Sequence, residues 1–333
     1  MASSTPIVTI AIPTLNRIHY LRDTLASAFA QTYPSVQVLV SENACEDGTT
    51  SYLEGISDPR LRILHQPARL SMYDHWNALV QAAVGDYFLL LSDDDILHPQ
   101  AIGEMVKAFE RHALAGFVFC RGMVIDHNGQ PIIPGKSAKS PLTAEEMVLG
   151  FFQSRLDLWP CALLFRMADV RTGYSQEFPL GADAALWMSI VCRYGEARFV
   201  DSTLVRYRVH RNTTMTTAVE RWQEENRKLA TFAIEQLEAY GRGNPHLFRQ
   251  ITKAAERLNV RISAGLLRNS SHESRVRILF RLLRQSRQVG GVYPLLVLTK
   301  SIIELSVPPQ WHKHLVTLSR LFKGQAAFFG RSE

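Results

Sequence analysis

The sequence predicts an α/β protein in which a mostly parallel sheet is flanked by helices and followed by a helical C-terminal region. Three observations predict it. Short, apolar, β-branched runs alternate with amphipathic stretches through the first 120 residues, as successive βα units do. That alternation then stops, and from Glu220 onward nearly everything carries a helical period. The composition, 46% hydrophobic and 20% charged over 333 residues, is that of a globular chain with room for about two domains, which excludes wholesale disorder, collagen and coiled coil.

The elements follow in order. Strands are expected at Ile7–Pro13, Val36–Ser41, Leu61–His65, Tyr87–Leu91 and Gly116–Cys120, each too short for a helix and mostly apolar, as strands covered on both faces should be. Between them, Tyr20–Ala30 repeats Leu21, Leu25, Ala28 and Phe29 at helical spacing, and Met72–Ala83 repeats Trp76, Leu79, Val80 and Ala83. Pro99–Arg111 opens with a proline suited to a first helical turn. Asp126, Asn128 and Gly129 read as a hairpin turn, and Pro131–Pro141 as a surface loop able to serve as a flap. Ala144–Phe152 is then helical, Ala162–Arg166 a strand, Ala182–Arg193 a helix and Leu204–Val209 a strand. The later helices break at Gly241–Pro245, Gly290–Gly291 and Pro308–Pro309.

The net charge of +6 is unevenly spread, since residues 221–333 carry 19 Lys and Arg against 8 Asp and Glu while the rest of the chain is mildly acidic. A basic segment attracts polyanions: nucleic acid, an anionic membrane surface or a phosphorylated substrate. The segments Arg275–Gln288 and Trp311–Gly324 alternate apolar and basic residues at helical spacing. Such helices either lie in a bilayer interface, giving peripheral membrane contact, or pack on one another with a solvated basic face. Nucleic acid is not expected as a partner, because no recognised module accompanies the charge. Four dispersed cysteines form no CxxC pair, Met1–Pro6 is polar, and the 16-residue run Val292–Val307 is interrupted by Lys300 and Glu304. A cytoplasmic protein without a spanning helix is expected.

Chemistry concentrates at Asp93, Asp94 and Asp95, directly after the apolar run Tyr87–Leu91. Three carboxylates at one strand end repel each other unless a hard divalent cation sits among them, so Mg²⁺ or Mn²⁺ fits; the plainer reading is capping of the next helix. Asp183, just after Gly181 at a helix start, is on local pattern equally a cap or a general base.

IPTLNR (Ile12–Arg17), VSENACEDGT (Val40–Thr49), LLLSDDDILHP (Leu89–Pro99), FPLGADAALWMSIVCRYG (Phe178–Gly195) and FVDSTLVRYRVHRNTT (Phe199–Thr214) together resemble the nucleotide-sugar glycosyltransferases of family 2, in that family's order over about 210 residues. The chain departs from the usual pattern in having Glu42 for Asp and Ser92 at the first position of the common DxDD motif. The resemblance implies a GT-A fold, Rossmann-like, over residues 1–218, with a basic helical region over 219–333 that finds no counterpart. It implies Asp94 as metal ligand with Asp95 flanking it, Asp93 beside the ribose, His210 completing the metal site, and Asp183 as the base.

The chemistry of such a reaction assigns further candidates. A departing nucleotide diphosphate needs a cation, Mn²⁺ or Mg²⁺, as Lewis acid. Arg208, two residues before His210, is placed at the diphosphate. Pro13, Thr14, Asn16 and Arg17 in the first strand and its loop, Glu42 and Asn43 in the second, and Asn77 in the following helix are candidates for donor binding; for Glu42 a cap is the plainer alternative. Trp159, Trp187 and Tyr207 are candidates for stacking on an acceptor sugar, with a core position equally open for Trp187. One base without a nucleophilic second carboxylate suits direct displacement with inversion. The expected function is transfer of a sugar from a nucleotide-diphosphate donor, a UDP-sugar by family habit, to a glycan or lipid-linked acceptor in cell-envelope polysaccharide synthesis. A sugar nucleotidyltransferase would share the metal but usually carries an early Gly-rich basic loop, which IPTLNR is not; a non-catalytic nucleotide-binding scaffold is the other alternative.

Overall fold

A computed structural model describes residues 5–210 and 219–269. The chain divides into two compact units, Met1–Ala255 and Glu256–Glu333, and the first contains the whole sheet. Its strands are β1 (Val8–Thr14), β2 (Val36–Glu42), β3 (Leu61–His65), β4 (Tyr87–Leu90), β5 (Ile96–Leu97), β6 (Phe117–Ile125), β7 (Pro131–Pro134), β8 (Leu142–Thr143), β9 (Leu163–Arg166) and β10 (Glu196–Arg208). The helices are α1 (Ile18–Phe29), α2 (Thr49–Glu54), α3 (Met72–Ala82), α4 (Ala101–Arg111), α5 (Ala144–Phe152), α6 (Met167–Val170), α7 (Ala182–Tyr194), α8 (Val219–Ala239) and α9 (Pro245–Asn269). The two basic segments beyond residue 270 lie outside the described residues.

The sheet runs β3-β2-β1-β4-β9-β6-β10-β5, with β7 on β6 and β8 on β10. Strands β1 to β4 pair in parallel, as the βα alternation predicts. Val8, Ile10, Ala11 and Ile12 in β1 are fully buried, because helices cover both faces of this strand. The sheet is nevertheless mixed: β9 inserts antiparallel between β4 and β6, and β5 pairs antiparallel with β10. Strand β10 is also far longer than the expected Leu204–Val209. Its first half holds the exposed Asp201, Ser202 and Thr203, and register shifts against β6 on either side of Thr203 interrupt the apolar alternation that marks a strand. Helix α4 starts at Ala101 rather than Pro99, whose carbonyl instead accepts a hydrogen bond from the Thr32 N–H at 2.9 Å.

Helix α7 is apolar almost all round, and nine of its thirteen residues are buried. A helix of that composition must be covered on most sides; α7 packs on β6 and β10 on one side and on α5 and α8 on others. Helix α5, which helps to cover it, begins in a capping box between Thr143 and Glu146.

Candidate active site

Strand order places the site. The chain winds from β1 outward through β2 to β3, then crosses to the other side of β1 to make β4, so the loops after β1 and β4 diverge and leave a crevice at their C-terminal ends. Into it project Leu15–Arg17 after β1 and Asp93–Asp94 after β4. The first two loops are laced to each other before any ligand arrives. Asn43 N–H donates to the Thr14 carbonyl at 3.1 Å and Glu46 N–H to Asn16 Oδ1 at 2.7 Å. Asp47 accepts from the Ile18 N–H at 2.9 Å and from the Thr49 hydroxyl at 2.6 Å, tying the starts of α1 and α2 to one carboxylate; these bonds keep it ionised below the ordinary aspartate range, against burial. Asn16 takes a left-handed backbone, φ 53°, which Asn tolerates better than most residues.

Several expected donor-binding groups are spent on this scaffold. Glu42, buried, accepts from the Cys45 N–H and so closes the turn after β2; it caps no helix, the N-cap of α2 being Gly48. The Asn43 amide makes a two-way pair with the Leu70 backbone, 2.8 and 3.2 Å. Asn77 does the same with the Tyr174 backbone, 2.7 and 2.9 Å, and so clasps a segment 97 residues away. Pro13 and Thr14 lie within β1 in register with Ser41 and Glu42, and the buried Thr14 side chain lies beside Asp93.

The three aspartates divide. Arg17 Nη1 sits 3.1 Å from Asp93 Oδ1 and 3.1 Å from Asp94 Oδ2, bridging the two. Burial raises the Asp93 carboxyl to about 6, with Asp94 adding to the rise and Arg17 opposing it. Asp95 faces the other way. It is 0% exposed, accepts the Arg208 N–H at 2.9 Å and lies against the Cys161 thiol; burial first and Asp94 second hold its carboxyl well above the ordinary range. The structure thus brings Asp93 and Asp94 together at the crevice and turns Asp95, expected to flank the metal, into the core.

Residues 96–97 then pair with β10, Ile96 with Arg206 and Leu97 with Val205, which pins the aspartate turn against the end of that strand. The chain leaves β10 at His210, whose Nε2 lies 2.8 Å from Asp94 Oδ2 although 116 residues separate the two; the imidazole stacks on Tyr20, ring centroids 5.4 Å apart. This is the convergence that the motif order predicts. A divalent cation fits the donor set chemically, since a carboxylate oxygen and an imidazole nitrogen meet at one point. Among the described residues no cluster of three or more His, Cys, Asp or Glu forms.

Arg208 departs from its expected place at the diphosphate. Its side chain is 2% exposed. Nε donates to the Asp94 main-chain carbonyl at 2.8 Å, Nη1 to the His127 carbonyl at 3.1 Å, Nη2 reaches Asp23 at 3.4 Å, and the guanidinium lies over Tyr20 at 4.8 Å. It is a buried brace that holds the aspartate turn to the β6–β7 hairpin. Arg208→Ala is expected to cost about 3 kcal/mol or more of stability, because several carbonyls lose a charged partner, read as a lower urea midpoint at unchanged m-value. A variant with native stability and only a raised donor KM would return Arg208 to the ligand.

Asp183 stands in the first turn of α7 and lines a small, largely apolar pocket with Leu90, Pro160, Leu163, Phe165, Tyr174 and Leu186. Burial pushes its carboxyl up to about 6, against the lowering effect of its own and the Ala184 N–H groups, while Glu225 adds to the rise. Burial, and after it the charges of the Asp94–Asp95 turn and of Asp183, raise the Tyr207 phenol, so it lies within reach of both acidic centres. Tyr207 stacks flat on Trp159, centroids 4.9 Å apart and planes within 3°. The Trp159 ring is seated on Gly122, where any Cβ would overlap it. Trp187 does not reach an acceptor: it is 0% exposed and edge-on to Phe117 and Phe151, because the inward side of α7 carries it into the core. Tyr20 and Tyr174 were not among the sequence candidates, and no local pattern around either of them marks it; Tyr207 was, as an aromatic able to stack on a sugar.

Residues 9–172 match the family described as Glycosyl transferase family 2. An uncharacterized glycosyltransferase of Rickettsia felis is 25% identical over 219 residues, 62% of this chain and 34% of the relative, so the chain spans about a third of that protein's length. Among solved structures, TarS of S. aureus (residues 1–349) in complex with UDP-GlcNAc superposes with a TM-score of 0.59 at 14% identity, covering 85% of this chain and 91% of that one. The mannosyltransferase PcManGT of Pyrobaculum calidifontis, in complex with GDP-Man and Mn²⁺, gives 0.57 at 15% identity, covering 99% and 89%. These likenesses establish the fold as GT-A. No described helix is long and apolar enough to cross a membrane.

Proposed function

We propose, from the match of residues 9–172 to glycosyltransferase family 2, that the chain is a glycosyltransferase of that family and moves a sugar from a nucleotide-diphosphate donor, with a UDP-sugar the first candidate, to a hydroxyl of a glycan or lipid-linked glycan, inverting the anomeric carbon. The meeting of Asp94 and His210 at 2.8 Å in the crevice between β1 and β4 carries this reading. In the domain assignment proposed with it, the catalytic domain runs to about residue 218 and the basic helical region follows. The work is assigned to the cytoplasm, with residues 275–288 and 311–324 as contacts for an anionic lipid surface.

Asp94 and His210 are the residues that would hold Mn²⁺ or Mg²⁺. When bound there, the cation would supply Lewis-acid neutralisation of the leaving diphosphate. The remaining work falls to side chains. Arg17, a third exposed and bridging Asp93 and Asp94, can turn one N–H toward a phosphate oxygen while keeping its carboxylate partner. Asp93 is offered to the ribose. Asp183 takes the proton of the acceptor hydroxyl as it attacks: with a carboxyl near 6 it is ionised at neutral pH yet more basic than an exposed aspartate. Inversion is supported by the engagement of the neighbouring carboxylate, Glu225, with backbone N–H groups, which leaves it unsuited to be a nucleophile. Trp159, stacked on Tyr207, offers a flat apolar face to an acceptor sugar.

The test is a panel of UDP- and GDP-sugars incubated with the full chain, with and without Mn²⁺, following release of nucleoside diphosphate. One donor class is expected to be consumed, and only with metal. Consumption of none, together with no thermal shift by UDP or GDP, would remove the proposal.

A further inference from the structure

Helix α7 begins without a cap of its own. Its N-cap is Gly181, which has no side chain to satisfy the exposed N–H groups of the first turn. The N–H groups just ahead of the helix are taken up from another helix: Glu225 of α8, 5% exposed, accepts the Leu180 N–H at 2.7 Å and the Gly181 N–H with the same oxygen, while the Asp183 carboxylate faces its own and the Ala184 N–H inside the first turn. A Cβ at position 181 would lie 2.7 Å from Leu229 and 3.3 Å from Glu225, so glycine is what lets α8 come this close. Leu229, fully buried, and the Phe178–Phe232 ring pair, centroids 5.1 Å apart, hold the two helices together around it. Asp183 is two residues beyond Gly181.

We infer that Glu225 is a positioning residue for Asp183: from a helix beyond the family-matched segment it caps the N-terminus of α7 and sets its own negative charge against that of the base. The inference rests on the reading of Asp183 as the base. A helix N-terminus alone stabilises a carboxylate and so makes it a weaker base. Glu225 takes the two N–H groups that precede α7 and opposes a second negative charge nearby, which keeps Asp183 basic without removing it from its pocket. The groups that bear on Asp183 agree with this: burial and Glu225 raise its carboxyl, its own and the Ala184 N–H act in the other direction, and the neighbouring phenols of Tyr174 and Tyr207 are themselves raised by its charge. Glu225 in turn faces Lys228 and Glu224, and burial raises its own carboxyl.

The test uses the full chain labelled with ¹³C at the aspartate side-chain carboxyl, with the Asp183 signal assigned by its loss in Asp183→Asn. Glu225→Gln keeps an oxygen for the two N–H groups and removes the charge. It is expected to hold the melting temperature while the Asp183 midpoint moves down, so that the protonated fraction at pH 6 falls by about half. Glu225→Ala removes both and is expected to melt lower, with Gln rescuing the melting temperature but not the midpoint. An unmoved midpoint in Glu225→Gln overturns the inference and leaves Glu225 a structural cap; should the alanine variant not fold, the glutamine variant decides alone. Failure of the base reading shows separately, as sugar transfer retained in Asp183→Asn.

Discussion

Asp183→Asn is expected to lower sugar transfer by about 10³-fold, the usual worth of a positioned general base, while metal-dependent nucleotide binding stays intact and the protein becomes more stable at neutral pH. The two effects have one cause. Burial lifts the Asp183 carboxyl from an ordinary value of 3.8 to about 6, so the folded state holds a proton that the unfolded chain releases between those values. Stability therefore rises as pH falls from about 6 to about 4, and above 6 the ionised group costs the fold its full penalty. Asn carries no such penalty. Two pKa units set an upper limit of about 3 kcal/mol, and the partial exposure of Asp183 with its backbone N–H partners makes the realised gain smaller. Melting curves of both proteins at pH 7.5 and pH 4 check this: the Asn variant should lead at the higher pH and lose its lead at the lower. Near-normal turnover in the variant would require another base.

Asp94→Ala is expected to weaken nucleotide binding in the presence of Mn²⁺ by about 10²-fold or more, in line with the loss of a metal-ligating group, and to abolish transfer. Asp94 Oδ2 is the atom that Arg17 and His210 share, so its removal disconnects the loop after β1 from the end of β10. The fold should survive, because Arg208 holds this residue through its main-chain carbonyl, which alanine keeps, and because Arg17 retains Asp93. Asp94→Asn preserves shape and hydrogen bonding but offers a hard cation a neutral oxygen, and should lose metal-dependent binding nearly as fully. Thermal shifts with UDP and with GDP, with and without Mn²⁺, check both variants; full nucleotide binding in Asp94→Ala would exclude the assigned role.

What the sequence made legible was whatever local pattern decides. The apolar runs of β1 to β4 and the helices between them announce parallel pairing, and the order of the motifs foretells that Asp94 and His210 converge. Side-chain direction was less legible, because tertiary neighbours decide it. Nothing near Arg208 says that its guanidinium is consumed by carbonyls of Asp94 and His127, nor does anything near Asn77 point to the backbone of Tyr174. Asp95 differs from Asp94 in chemistry not at all and in placement entirely, since the pairing of Ile96 and Leu97 with β10 fixes which carboxylate turns inward. The cap of α7 lies 44 residues downstream of Gly181, and its only local sign is the absence of a capping side chain where the helix begins. Polar residues inside β10 hid half of that strand for the same reason: its place in the sheet is set by β6, not by its own alternation.

Asp94 and His210 are assigned to one cation site at the mouth of the crevice. Free Mn²⁺ measured by electron paramagnetic resonance, during titration of the full chain in the presence of UDP and in parallel of GDP, addresses that most directly. The wild-type protein should take up one Mn²⁺ per chain with at least one of the nucleotides, and both Asp94→Ala and His210→Ala should leave the metal free at the same concentrations. Equal uptake by the wild type and both variants would place the metal elsewhere and contradict the account.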